Sequence, residues 1–129
     1  LAISSKNGIP LFFSKTPINL CVTCDPRRGG RHVLGRNSIK QTDFYSTCCA
    51  IQNLWLAARS EGIGVGWVSI LNNNLLRKTL KIPKHIKPIA YLCLGYVSEF
   101  PKKPMLETKG WAKRKNLNDL IYWNGWDKR

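Results

Sequence analysis

The segment most informative about the fold of this chain is Gly62-Ile63-Gly64-Val65-Gly66-Trp67-Val68-Ser69-Ile70. Side chains alternate between the two faces of an extended chain, so the three glycines share one face and leave a strip of bare backbone there. A glycine inside a strand often marks a close approach by a ligand or by another backbone segment. A broad, flat ligand would fit such a strip. Close packing at a tight helix-to-strand turn is the alternative, and the spacing alone favours it.

The length and composition predict a single globular domain over residues 1–129. Fractions of 43% hydrophobic and 10% aromatic residues are typical of a folded protein rather than a disordered one. No apolar run reaches the roughly 20 residues of a membrane span, and no signal peptide is visible, so we expect no membrane partner. The chain begins at Leu1 rather than at a methionine. We therefore interpret it as a fragment or a processed piece with its N-terminal part missing.

The chain is strongly basic, with a formal charge of +14 from 21 basic and seven acidic residues. Such an excess attracts polyanions, and a basic nucleic-acid-binding module is one interpretation of it. However, the basic residues lie between the apolar segments without forming one stripe, and aromatic residues are not interleaved with them as on an RNA-binding platform. A solvated, lysine-rich surface is the favoured interpretation, so no nucleic-acid partner is expected.

Five cysteines are an odd number, which rules out a complete set of intramolecular disulfides. Cys21 and Cys24 form a CxxC pattern, but they lie in an apolar run where an odd offset sends their side chains to opposite faces of a strand. No second CxxC follows, so we expect no metal site. Buried, reduced thiols are the favoured state, which indicates a reducing compartment such as the cytoplasm.

The first half of the chain predicts a strand, a long loop and one main helix. Residues 18–24 are apolar with little alternation, which is typical of a strand covered on both faces. Residues 25–41 are long enough for a lid or a ligand-contacting loop, although a disordered basic loop is the default. The helix begins at Thr42 or Asp43 and ends in a left-handed cap at Gly62. Its apolar stripe consists of Phe44, Cys48, Ile51, Trp55 and Ala58. A helix apolar over so much of its surface should lie deep in the fold or in a subunit interface.

The second half predicts a short helix, a central strand and an arm. Asn72 can cap a helix that continues through Leu80. Residues 88–97 are almost continuously apolar and are typical of a central strand. Residues 101–129 are polar, and we predict an extended arm there with a short helix near residues 117–122. This alternation of strands and helices would ordinarily indicate a parallel sheet.

Four groups of residues, in chain order, carry a resemblance to a known family. They are Ile18-Asn19-Leu20-Cys21-Val22-Thr23-Cys24-Asp25, Tyr45-Ser46-Thr47 with residues 52–59, residues 61–70, and Ala90-Tyr91-Leu92-Cys93-Leu94-Gly95-Tyr96-Val97-Ser98-Glu99-Phe100. Over roughly residues 17–127 the chain resembles the 5,6-dimethylbenzimidazole synthases of the FMN-dependent nitroreductase-like superfamily. The helix and glycine motif alone would indicate only the superfamily. Residues 1–16 are a weakly patterned lead-in without the resemblance.

The resemblance implies a fold, a reaction and partners. The implied fold is α+β, with a mixed, largely antiparallel sheet flanked by helices and an extended C-terminal arm, in place of the parallel sheet. The implied reaction converts reduced FMN and O2 to 5,6-dimethylbenzimidazole, the lower ligand of cobalamin, with loss of a sugar-phosphate fragment and without a metal. The implied assembly is a homodimer with FMN at the subunit interface, supplied with reduced FMN by a separate flavin reductase.

The resemblance also assigns site residues. The glycine motif of the family falls on Gly64 and Gly66, whose bare backbone would lie against the isoalloxazine ring of FMN. Its serine falls on Ser69, the implied catalytic residue, which would assist proton movement during ring breakdown. Its basic residue falls on Arg114, which would hold the FMN phosphate. A strand serine bonded to backbone and a surface arginine in a basic tail are the ordinary alternatives for Ser69 and Arg114.

Two features of the family are missing from this sequence. The family carries an arginine-rich flavin-phosphate motif and a functional aspartate in its N-terminal portion, and this chain has neither. We therefore expect this polypeptide alone to bind flavin poorly and to turn over slowly or not at all. An NAD(P)H-dependent FMN nitroreductase or flavin reductase is the first alternative function, and the nucleic-acid-binding module is the second.

Overall fold

The computed structural model describes residues 16–29, 32 and 34–127. The chain divides into two compact units, Leu1–Ser98 and Glu99–Arg129. Except for Thr16, the lead-in over residues 1–16 lies outside the described residues. Within the described part of the chain, no helix is both long enough and apolar enough to span a membrane.

The first unit is built on a three-stranded sheet with the order β1-β3-β2. Its strands are β1 (Ile18–Cys24), β2 (Ile63–Val68) and β3 (Lys87–Tyr96), and β3 pairs with both neighbours in antiparallel fashion. The apolar run that predicts a central strand is indeed the middle one. The antiparallel α+β fold is therefore confirmed. The parallel sheet suggested by the order of elements alone is wrong, because β3 runs antiparallel to both of its neighbours. The connection over residues 69–86 therefore returns the chain beside β2 in the opposite direction.

One helix, α1 (Thr42–Ser60), packs against one face of this sheet. Ile51 is 2% exposed and forms the core with Ala90 and Leu92 of β3. The partly buried side chains packed against this core are Leu20, Val22, Leu54, Val65, Ile89 and Leu94. Apart from Ile89, the strand residues among them follow the period of two that puts one side of each strand toward the helix. The core of this unit therefore lies between α1 and the middle of β3.

The opposite side of α1 is exposed in the part of the chain that the structure describes. Tyr45 is 56% and Leu56 is 59% exposed, and Cys48, which we placed in the buried stripe, is exposed with Cys49. A three-stranded sheet covers only one side of a helix. The expectation that α1 lies deep in the fold is therefore wrong for this chain, and its alternative, a subunit interface, stays a prediction.

Local signals place the ends of the helices as the sequence predicts. Gly62 follows α1 with φ +74°, the left-handed conformation that a glycine adopts without strain, and its N–H donates to the carbonyl of Arg59 at 3.1 Å. The side-chain oxygen of Asn72 accepts hydrogen bonds from the N–H groups of Asn74 and Leu75, both at 3.0 Å, at the start of α2 (Asn73–Thr79). Both caps are confirmed.

The described part of the second unit contains two short helical segments. They are α3 (Met105–Thr108), which the sequence analysis did not predict, and a 3-10 helix at Leu117–Leu120, inside the region predicted to hold a short helix. Tyr122 and Trp126 stack with ring centroids 4.3 Å apart and an interplanar angle of 8°. The rest of the described unit is irregular, and the extended form of the arm stays a prediction.

Candidate functional site

The glycine strip is strand β2, and its first predicted contact is Gly64. Gly64 lies opposite Gly95 of β3. A Cβ atom built on Gly64 would overlap Cγ1 of Val97, and the carbonyl oxygen of Gly95 would be 3.4 Å away. The side chain of Val97 therefore occupies the space in front of Gly64. Glycine is needed at this position for packing within the chain, and its predicted contact with a cofactor stays a prediction.

Gly66 has the opposite surroundings. It lies opposite Cys93 of β3, on the same face of the strand as Gly64. A Cβ atom built on Gly66 would have no neighbour within 4 Å. Its φ is not positive, since only Gly62 and Gly110 among the described glycines have positive φ. Neither packing nor backbone conformation therefore accounts for the glycine, and the open space beside it suits a flat ligand.

Ser69 directly follows the end of β2 and is exposed. Its hydroxyl makes no hydrogen bond within the described residues, so it is available to a ligand. Ser69 lines a cavity of about 180 Å³ together with Trp67 of β2 and Tyr91 of β3. Ligand pockets usually measure about 300–1,000 Å³, so this space holds part of a flavin at most. Gly66 does not line it.

Arg114 lies in the second unit, in an irregular segment between α3 and the 3-10 helix, and is exposed. Its guanidinium forms no hydrogen bond or ion pair within the part of the chain that the structure describes. All its N–H donors are therefore free for a phosphate. Gly64, Gly66 and Ser69 thus lie within one strand and its end, but Ser69 lines a cavity that neither glycine lines. Arg114 lies in the other unit.

The five cysteines are free thiols, but only some are buried. Cys24 and Cys93 are buried and Cys21 is partly buried, whereas Cys48 and Cys49 are exposed on α1. The prediction of buried thiols is therefore confirmed for Cys24 and Cys93 and wrong for the two cysteines of α1. Burial raises the pKa of Cys21 and Cys93. Raised thiol pKa values make these two cysteines poor nucleophiles at neutral pH. In the described ranges no group of three or more His, Cys, Asp or Glu residues could hold a metal ion.

A larger cavity lies where the sequence analysis considered a ligand-contacting loop. It measures about 830 Å³ and is lined by residues of the 25–41 loop, the start of α1 and the turn before β3. A 3-10 helix, Gly35–Asn37, orders part of this loop. Sequence reasoning missed the turn at residues 80–86 as the other wall, because no local signal connects it to a loop more than forty residues earlier.

The sequence is similar to known proteins of one family. The sequence matches the model of the nitroreductase family over residues 6–96. It is 41% identical over 101 residues to the 5,6-dimethylbenzimidazole synthase of Rhodospirillum rubrum, an alignment that covers 78% of this chain and 48% of that protein.

Solved structures extend the comparison to the fold. The fold is similar to that of a nitroreductase family protein from Clostridium difficile 630, with a TM-score of 0.64 at 23% identity, covering 97% of this chain and 72% of that one. It is also similar to an FMN-dependent nitroreductase from Clostridium difficile R20291, with a TM-score of 0.62 at 16% identity, covering 95% and 65% of the two chains. The chain spans about half the length of the curated synthase that it matches.

Proposed function

This chain belongs to the nitroreductase family, and on that premise we propose that the protein converts reduced FMN and O2 to 5,6-dimethylbenzimidazole, the lower ligand of cobalamin. The observation that carries the proposal is the 41% identity to a synthase of that name, because the alignment covers 78% of this chain. Reduced FMN is the substrate, and it supplies both the electrons that reduce O2 and the ring that becomes the product.

Two positions in the first unit support a flavin ring beside β2. The open space at Gly66 lets a planar ring approach the backbone without meeting a side chain. The exposed hydroxyl of Ser69 can both donate and accept a hydrogen bond. At the edge of a bound ring this hydroxyl would hold or pass a proton as the ring is broken down.

Arg114 supports phosphate binding from the second unit. A guanidinium presents two parallel N–H donors to a phosphate, and this arrangement is both stronger and more directional than a lysine contact. Because Arg114 has no partner in the described residues, binding a phosphate would not require it to break an existing ion pair.

We propose a homodimer as the active form. The exposed apolar side of α1, which includes Tyr45 and Leu56, supports a second subunit packing there, since burial of apolar surface is the main driving force of association.

A separate reductase would supply reduced FMN. The free thiols fit a reducing compartment such as the cytoplasm.

The decisive experiment adds reduced FMN and air to the purified full-length protein and measures 5,6-dimethylbenzimidazole by chromatography, with NADH and NADPH oxidation followed in parallel. We expect product without nicotinamide oxidation. Nicotinamide oxidation with FMN retained and no product would instead identify a nitroreductase or flavin reductase.

Two variants test the residue assignments. Ser69→Ala should lower the rate of product formation on the order of 100-fold while FMN binding changes little, because only the proton step is lost. Arg114→Ala should weaken FMN binding at least about tenfold, because a charge-assisted contact is worth about 1.5–3 kcal/mol. Lys113→Ala removes a positive charge from the preceding residue and is the matched control. If Arg114→Ala and Lys113→Ala behave alike, Arg114 has no specific role.

A further inference from the structure

The cavity of about 830 Å³ belongs entirely to the first unit and is separate from the glycine strip. The end of β1, the 25–41 loop, the first turns of α1 and the turn at residues 80–86 form its walls. Neither Gly66 nor Ser69 lines it. Its volume falls within the range of about 300–1,000 Å³ that is usual for small-molecule sites. The flavin proposal makes no use of this space.

One part of the lining is cationic. Arg28, Arg36 and Lys81 all line the cavity, and none of them forms an ion pair in the described ranges. A guanidinium or ammonium group without a carboxylate partner is available to an anion. Hydroxyl groups lie in the same lining, from Thr23, Thr42, Ser46 and Thr47.

Two carboxylates also line the cavity, and both are partly engaged. Asp25 accepts a hydrogen bond from the backbone N–H of Arg27 at 3.0 Å, which is the main cause of its lowered pKa, and it forms an ion pair with the Arg27 side chain at 3.5 Å. Asp43 accepts a hydrogen bond from the N–H of Phe44 through Oδ1, and its Oδ2 is buried away from solvent. The three cations therefore outweigh the negative charge that a ligand meets, while Asp25 remains able to accept a hydrogen bond from a ligand hydroxyl.

The remaining lining is apolar. Leu34 is 86% and Leu80 is 47% exposed, and both line the cavity with Ile82, Pro83 and Ile86. Large aliphatic side chains exposed beside unpaired cations are unfavourable in an empty surface cleft. They suit a ligand with one flat apolar part and one anionic part.

Hydrogen bonds hold the walls of the cavity in place. The guanidinium of Arg36 donates to the carbonyl of Pro26 and so ties the start of the loop to the 3-10 helix within it. The guanidinium of Arg77 donates to the carbonyls of Pro83 and Ile86, both at 2.6 Å, and so fixes the opposite turn. Lys81 is held in that turn at φ +52°, an uncommon conformation for a residue with a side chain. The site is thus largely formed before any ligand binds.

We propose that this cavity binds a mononucleotide, that is, a ring joined to a sugar that carries a single phosphate. Arg28 and Lys81 bind the phosphate, Asp25 and the hydroxyl groups bind the sugar, and Leu34 and Leu80 contact the face of the ring. Adenosine, nicotinamide and flavin mononucleotides share this chemistry. The proposal is independent of the flavin reaction proposed above.

Isothermal titration of the purified full-length protein with AMP and with adenosine tests the proposal. We expect saturable binding of AMP that is at least tenfold tighter than that of adenosine, because adenosine lacks the phosphate. The double variant Arg28→Gln, Lys81→Gln should weaken AMP binding at least tenfold and adenosine binding little. Lys78→Gln, which removes an exposed charge that does not line the cavity, should leave AMP binding unchanged. Equal binding of AMP and adenosine, or an equal loss in Lys78→Gln, would overturn the proposal.

A second variant tests the apolar part. Leu34 is so exposed that Leu34→Asp should preserve folding, which circular dichroism can verify, yet it should weaken AMP binding several-fold and ribose 5-phosphate binding less. Titrations with FMN and nicotinamide mononucleotide then identify the preferred ring. Gly66→Val, which fills the space proposed for the flavin, should leave AMP binding intact. Loss of AMP binding in Gly66→Val would show that AMP uses the flavin site and would overturn the assignment of this cavity.

Discussion

Gly64 and Gly66 lie two residues apart on the same face of β2, and their surroundings are opposite. At Gly64 a side chain would collide with Val97, whereas at Gly66 it would enter open space. Close packing within the chain explains the first glycine and leaves the second unexplained. A repeated glycine in a sequence therefore carries two different physical meanings, and the motif alone does not distinguish them.

The reason lies at the end of β3. Val97 directly follows Tyr96, the last residue of that strand, and crosses in front of Gly64. Gly95, the partner of Gly64, is packed in the same way, since a Cβ atom there would lie 2.9 Å from Cδ of Pro17. This end of the sheet is closed by neighbouring residues of the same chain, and the position of Gly66 is not.

The largest effect on stability should follow from adding a side chain at Gly64, where Val97 already fills the space. Gly64→Ala forces the stiff side chain of Val97 to move, so we expect a loss of about 1–3 kcal/mol in the free energy of unfolding, as is typical of overpacking. Urea unfolding measures it. In the Val97→Ala background, adding Gly64→Ala should lower the free energy of unfolding by much less than it does in the parent protein, because the obstacle is gone. If the two losses simply add, Val97 is not the obstacle and the contrast between the glycines fails.

Adding a side chain at Gly66 should instead weaken FMN binding and leave stability nearly unchanged. Gly66→Val should change the free energy of unfolding by less than about 1 kcal/mol, because a β-branched residue is well tolerated in a strand. The same change should weaken FMN binding at least about tenfold, or about 1.4 kcal/mol. FMN fluorescence quenching gives the affinity. Normal FMN binding by Gly66→Val would remove Gly66 from the site.

At position 62 glycine is required for a third reason, the backbone conformation. A Cβ atom there would meet nothing within 4 Å, but φ is +74°. Gly62→Ala should therefore cost about 1 kcal/mol of stability through backbone strain alone. The cost should be the same in the Val97→Ala background. A smaller loss in that background would mean that packing, and not the left-handed cap, sets the requirement at Gly62.

The smallest effect concerns Cys93, the residue opposite Gly66. Burial raises the pKa of the Cys93 thiol above its ordinary value of 9.0, so the folded protein holds this proton more tightly than the unfolded chain. The resulting stability is fully present below pH 9.0 and is lost as the pH rises through the raised pKa. Urea unfolding at several pH values should show this decline, and Cys93→Ala should reduce it.

The exposed Cys48 provides the control for that measurement. Cys48→Ser should leave the decline in stability at high pH unchanged, because the Cys48 side chain is exposed and is not buried on folding. A decline that is the same in Cys93→Ala as in the parent protein would show that other groups, such as Tyr91 with its pKa raised mainly by burial, are responsible.

The course of the chain could be read from local chemistry. The offsets of three and four in α1, the Asn72 cap and Gly62 each depend on residues fewer than five positions apart, and the structure confirms them. The antiparallel direction of the sheet could not be read in this way. It followed from the resemblance of several motifs to a known family, whereas the order of elements by itself indicated a parallel sheet.

Local signals in the sequence identified the three strands and the helices α1 and α2, and linked motifs identified the family, because periodicity, capping and motif order are properties of neighbouring residues. The folded structure was needed to show that Val97 fills the space before Gly64 and that Gly66 stays open. It alone brought Arg28 and Lys81 to one cavity. These facts depend on contacts between residues more than thirty positions apart, and spacing along a chain does not specify such distances.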